Sequence, residues 1–122
     1  MAVLVILTQL TKLRKAAHAI KNSTTLILPE WFRILGRMAK ASQEKGNKPL
    51  GLRVMPRDVA TRWNSTYEML DFAYKYRKAY NEITANRNMN LRTYELSNED
   101  WKIVKDLATV LKVRTLIYFK IF

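Results

Sequence analysis

Cysteine is absent from the sequence, which excludes disulfides and every zinc site built on thiolates. Histidine occurs once, at His18, so neither a histidine-cluster metal site nor a Cys–His catalytic pair can form within the chain. His18 stands at helical spacing beside Ala17 and Ile20 and reads as a packed or surface residue of a helix. Three glycines and three prolines are spread over 122 residues, so long stretches run without a strong breaker and the composition favours helices. Long apolar runs are missing too. Residues 2–7 are apolar, but far too few to span a bilayer, and they lack the basic flank and small-residue cleavage site of a signal peptide. The apolar run 116–119 is equally short and is followed by Lys120. No membrane partner is expected. These apolar ends read as cut edges of a larger core, or as surfaces for self-association or a partner chain, because exposed patches of that kind attract partners.

Acidic residues are scarce and unevenly placed. Lys and Arg number 22 against 10 Asp and Glu, a formal net charge of +12. Residues 1–57 hold 11 basic and 2 acidic side chains, whereas residues 58–122 hold 11 and 8. A basic half of this kind suits a polyanion, whose counterions it would release. A solvated basic surface without a partner, or one that meets anionic lipid, has the same composition. Apolar content of 48% and charged content of 26% are ordinary for a folded chain and exclude wholesale disorder. The length suits one domain with one modest core.

Four principal helices follow from periodicity. Ile6, Leu10, Leu13, Ala17 and Ile20 recur at spacings of four and three, with Lys12, Arg14, Lys15 and Lys21 largely off that stripe. Asn22, Ser23, Thr24 and Thr25 end this helix. Pro29 and Glu30 suit the first turn of a second helix, with an apolar face of Leu28, Trp31, Phe32, Leu35 and Met38, fading near Gly46 and Asn47. A third helix is expected to start between Thr61 and Ser65, with Ser65 and Glu68 as a capping box, and to run through Met69, Leu70, Phe72, Ala73, Tyr76, Tyr80 and Ile83. Asn86 to Asn90 breaks it. Ser97 and Asp100 form a second box, and Leu96 and Trp101 have the spacing of a hydrophobic staple. One short strand is expected between Pro49 and Pro56, where Leu50, Leu52 and Val54 alternate with Gly51 and Arg53. A lone strand is either an isolated extended connector or has its neighbours outside the chain.

The most informative stretch runs over residues 58–70, DVATRWNSTYEML. It places Arg57, Arg62 and Trp63 between a strand end and a helix start. Helix-start amides favour phosphate, Arg adds a bidentate phosphate contact, and Trp can stack on an unpaired base. Equally, Trp63 can be core, with Arg62 capped on it or paired with Asp58.

This stretch resembles the hAT transposase family, whose signature reads D-V-x-T-R-W-N-S-T-Y-x-M-L. The match covers Asp58, Val59, Thr61, Arg62, Trp63, Asn64, Ser65, Thr66, Tyr67, Met69 and Leu70. Weaker similarity extends upstream to the helix that ends at Ser23 and downstream to Leu96, Ser97 and Trp101, so that residues 12–115 are covered. The resemblance implies a mainly α chain of four principal helices and one short strand, a fragment of a ribonuclease H-like transposase with an inserted helical domain. Residues 1–57 would be a basic helical segment and core edge strand, and residues 58–122 the R-W signature and the first helices of the insertion. It implies DNA as partner, contacted by Arg57, Arg62, Trp63 and Asn64, and a nuclear location. The family's catalytic Asp, Asp and Glu, which bind divalent metal, have no counterparts here. Asp58 belongs to the signature, and the first 57 residues offer only Glu30 and Glu44. No enzymatic activity, metal or other cofactor is therefore expected. The alternative reading is a helical interaction module completed by a partner chain.

Overall fold

Residues 3–48, 50–55 and 63–121 are described by the computed structural model, with side chains described over 7–48, 50–55 and 65–113. Among these residues the chain forms five α-helices and no strand. Helix α1 spans Val3–Asn22 and α2 spans Ile27–Glu44. Helices α3, Trp63–Lys75, and α4, Arg77–Ala85, follow. Two short 3-10 turns, Arg87–Met89 and Arg92–Tyr94, lead into α5, Asn98–Ile121.

Each helix is bounded by local chemistry. Ser23 ends α1 by donating its amide to Ala19, and it starts α2 by accepting the Ile27 amide on its hydroxyl at 3.1 Å. Helix α2 stops in a glycine turn. Gly46 adopts φ +77°, its amide donates to Gln43 at 3.0 Å and that of Asn47 donates to Ser42 at 2.8 Å, so the last carbonyls find partners. Helix α5 opens on the expected capping box: the Asp100 amide donates to the Ser97 hydroxyl at 3.2 Å and the Ser97 amide to the Asp100 carboxylate at 2.9 Å.

The core joins all five helices. Leu13, Trp31, Ile34, Met69, Leu70, Tyr80, Ile83, Leu91 and Val104 are fully buried. Helix α1 packs on α2, α2 on α4, and α3 on α5. The staple residues Leu96 and Trp101 are both buried, and Trp101 meets Tyr80 edge-on with ring centroids 5.3 Å apart. The α1 stripe is rotated relative to its periodicity: Gln9 and Ala16 are buried, whereas Ala17 is only partly so. In α2, Ile34 joins the core, while Leu28, Phe32 and Met38 are partly buried.

Three expectations are corrected. The third helix is two, because the chain breaks at Tyr76, which leaves helical geometry at φ −100°, ψ 19°. There the Arg77 guanidinium donates to the Tyr74 carbonyl at 2.8 Å, Tyr76 stacks on Phe72 at 4.0 Å, and its hydroxyl donates to the Gly51 carbonyl at 2.8 Å. Ser65 does not cap α3 but lies inside it, since the helix starts at Trp63. Residues 50–55 are not a strand. They form an irregular connector with a bend at Leu52, held by side chains, with the Trp31 indole N–H donating to the Arg53 carbonyl at 2.8 Å and the Tyr76 hydroxyl reaching Gly51. Without a strand among the described residues, the expected ribonuclease H-like sheet has no counterpart in them.

Candidate nucleic-acid interface

The first acidic residue in the sequence is Glu30, so α1 carries no carboxylate at all. Its buried side is occupied by Gln9, Leu10, Leu13, Ala16 and Ile20. Helical periodicity then directs its cations, Lys12, Arg14, Lys15 and Lys21, away from the core. Lys15 and Lys21 are exposed, and Lys12 and Arg14 are half-buried. Lys12 also ties α1 to the second 3-10 turn, donating to the Glu95 carbonyl at 3.3 Å.

Two grooves border this face. The first, of about 390 Å³, runs along the C-terminal half of α1 and is lined by Arg14, His18 and Lys21 on one side and Met55 and Met69 on the other. The second, of about 520 Å³, is lined by Thr8, Thr11, Lys12 and Lys15 from α1 and by Thr93 and Tyr94 opposite. Neither groove has a carboxylate among its described lining residues. Asn22 anchors the end of the helix, its side-chain amide lying 3.0 Å from His18 Nδ1 and donating to the His18 carbonyl at 2.9 Å.

Of the other grooves, one is likewise lined by cations without a carboxylate among the described residues and another is of mixed charge. One between α2 and the α3–α4 junction contains Lys45, Lys75, Arg77 and Lys78. There Lys75 is paired with Asp71 at 3.1 Å, Arg77 is engaged by Tyr74, and the C-terminal end of α2 adds a negative dipole. The groove between the connector and α3 mixes Arg53 and Lys75 with Glu68 and Asp71. Along α2, Arg33 is held by Glu30 at 2.6 Å, and Arg37 pairs with Glu82. The Arg33 hydrogen bond outweighs the partial burial of Glu30 and lowers the pKa of its carboxyl. Helix α1 thus carries four cations and no carboxylate of its own, with the Asp100 carboxylate of α5 within electrostatic reach of Lys12.

Arg57 and Arg62, and the proposed division of the chain at 57 and 58, lie outside the described residues, as do the side chains of Trp63 and Asn64. What the structure does describe is where their flanks stand. Met55 is a wall of the first groove, and Trp63 opens α3, whose Met69 lines the same groove. The sequence separates α1 from this signature by more than thirty residues; the fold brings α1 beside its flanks. The basic run of α1 was visible in the sequence, but its role beside the signature was not, because the opposite walls come from distant segments. Among the described residues no group of three or more His, Asp or Glu side chains is placed to hold a metal ion, and no helix is long and apolar enough to cross a membrane.

Comparison with known proteins agrees with the helical reading. No curated protein and no solved structure matches the chain. A family model, that of the ZBED1 RNase-like helical domain, matches residues 3–110. That span takes in α1 to α4, both 3-10 turns and the first half of α5. With most of its length covered, the chain belongs to the ZBED1 RNase-like helical domain family.

Proposed function

We propose that this chain is a nucleic-acid-binding domain derived from a hAT-type transposase and that it performs no strand transfer. The observation that carries the reading is α1, a helix with four cations and no carboxylate of its own, set beside residues on either side of the R-W pair. The family match and the signature over residues 58–70 supply the transposase ancestry. In this reading Arg57 and Arg62 take phosphate, Trp63 stacks on an unpaired base, and Asn64 contributes a polar contact. Strand transfer needs clustered carboxylates to hold divalent metal. The sequence upstream of the signature has only Glu30, engaged with Arg33, and Glu44 at the end of α2. The nucleus is where such a domain would meet its partner.

The test is fluorescence anisotropy with a labelled DNA hairpin bearing unpaired flanking bases, across a salt series. Binding is expected to weaken steeply with salt, and Trp63→Ala to lose roughly 1–3 kcal/mol of affinity, the usual worth of one base stack. Circular dichroism must show unchanged helix content in the variant. A folded chain that ignores the hairpin at low salt would remove the reading.

One observation favours a second reading, a helical interaction module. Val110 and Val113 on α5 are 58% and 51% exposed, an apolar pair on the solvent side of that helix. Sedimentation velocity separates the two readings: association that depends on concentration and not on DNA supports the module, and a monomer at high concentration removes it.

A further inference from the structure

We infer that α1 seats in the major groove of duplex DNA, with a phosphate strand received on each of its two flanks. The inference rests on the nucleic-acid reading above and adds the form of the ligand and the element that enters it. Three observations lead to it. First, the charge is arranged on both sides of one helix: Arg14 and Lys21 face the first groove, Lys12 and Lys15 the second. Both grooves offer only cations and neutral polar or apolar groups among their described lining residues. Lys, Arg, Thr and Asn are the side chains that most often grip phosphate and sugar.

Second, a helix bordered by grooves on both sides forms a ridge. An α-helix with its side chains is about 10–12 Å across, which fits the roughly 12 Å major groove of B-form DNA and not the roughly 6 Å minor groove. The deep, narrow major groove of duplex RNA excludes it as well. From Thr8 to Asn22 the ridge is about 21 Å long, shorter than one turn of DNA at about 34 Å, so a single helix can lie in the groove without bending it.

Third, the outermost positions of α1 carry Leu7 and Thr11, on the rim of the second groove, and His18, on the rim of the first, at spacings of four and seven. All three are exposed, Leu7 by 47%. A threonine and an imidazole can bond base edges, and an exposed leucine suits the thymine methyl group, which lies in the major groove. Helix α1 has no Phe, Tyr or Trp, the usual platforms for stacking unpaired bases. Its charge and width favour the duplex, and in this reading single-stranded contact is left to the signature segment.

The experiment uses the whole chain and labelled duplex DNA of about 20 base pairs, two helical turns, beside a single strand and an RNA duplex of equal length. Methyl green, which occupies the major groove, and netropsin, which occupies the minor groove, serve as competitors. The expected result is tighter binding to duplex DNA than to either alternative, with displacement by methyl green and none by netropsin. Lys15→Glu with Lys21→Glu should weaken binding at least about tenfold and flatten the salt slope by roughly two. Lys40→Glu with Lys45→Glu, the same charge change on α2, should weaken it by less than about threefold. Both pairs lie at exposed positions, and circular dichroism checks their folds. Displacement by netropsin alone, or equal loss from both pairs, overturns the placement of α1 and leaves nucleic-acid binding standing. Binding to no nucleic acid, or only to phosphatidylserine vesicles, overturns both.

Discussion

Asp100 shows how much one side chain holds in place. Its carboxylate closes the capping box of α5 and also accepts a hydrogen bond from Gln9 Nε2 at 2.7 Å, linking the end of one helix to the middle of another 91 residues away. Burial pushes its pKa up, but the hydrogen bonds from Ser97 and Gln9 and the charge of Lys12 outweigh that and hold it below the usual aspartate value. A carboxyl depressed in the folded state contributes stability above its unfolded pKa of about 3.9 and loses that contribution as pH falls through the folded value. Urea unfolding at about pH 7 and about pH 3 should therefore show a stability loss that Asp100→Asn reduces. Glu30, likewise depressed, leaves a residual loss in the variant. Equal losses in the two proteins would show that Asp100 contributes no such linkage. Gln9 itself is 4% exposed, and its Oε1 finds no hydrogen-bond partner among the described residues, so α1 buries a polar group for the sake of one strong bond. Tyr80 is the opposite case. Burial raises the pKa of its phenol far above the usual value, and its hydroxyl is satisfied by the Tyr94 carbonyl at 2.6 Å.

At the scale of elements, α2 and the turn that ends it offer two glycines with opposite roles. Gly46 has φ +77°, and no atom lies within 4 Å of where a Cβ would stand. Gly46→Ala is thus penalised by backbone strain alone, about 1–2 kcal/mol. Gly36 lies inside the helix with equally open surroundings, so Gly36→Ala should stabilise by about 0.5–1 kcal/mol through helix propensity. Chemical denaturation measures both, and two changes of the same sign would contradict the glycine turn at the end of α2. The break between α3 and α4 belongs to this scale too. Local sequence gives no proline or glycine there, and the interruption comes from tertiary bonds to Gly51 and from Arg77 taking the Tyr74 carbonyl.

For the whole molecule, charge dominates. A chain of formal charge +12 repels itself when compact, and its ion pairs, such as Lys75–Asp71, are solvent-exposed and contribute little. Raising NaCl from about 10 mM, where the Debye length is about 30 Å, to about 150 mM, where it is about 8 Å, should raise the thermal midpoint of the free protein. The same change should weaken its hold on DNA. The two opposite responses, followed by calorimetry and anisotropy on one sample, separate self-repulsion from ligand attraction. A midpoint indifferent to salt would mean that the cations are already compensated within the fold.

The sequence by itself determined what depends on neighbours within about a turn of helix. The start of α5 at Ser97, the stop of α2 at Gly46, the polar break at Asn86 and the cationic outward positions of α1 were all legible, because capping bonds and helical periodicity act over three or four residues. Tertiary structure decided the rest. An alternating segment at 50–55 reads as a strand until Trp31 and Tyr76, 22 and 25 residues away, take its carbonyls. Gln9 lies outside the apolar stripe that periodicity picks out, and its burial comes with the bond to Asp100. The grooves beside α1 have walls from Met55, Met69, Thr93 and Tyr94, so the charges of the candidate site were visible in the sequence and its shape was not. The physical reason is the same in each case: these features are made by bonds and contacts between segments far apart in the chain, and local preference has no knowledge of them until the core has closed.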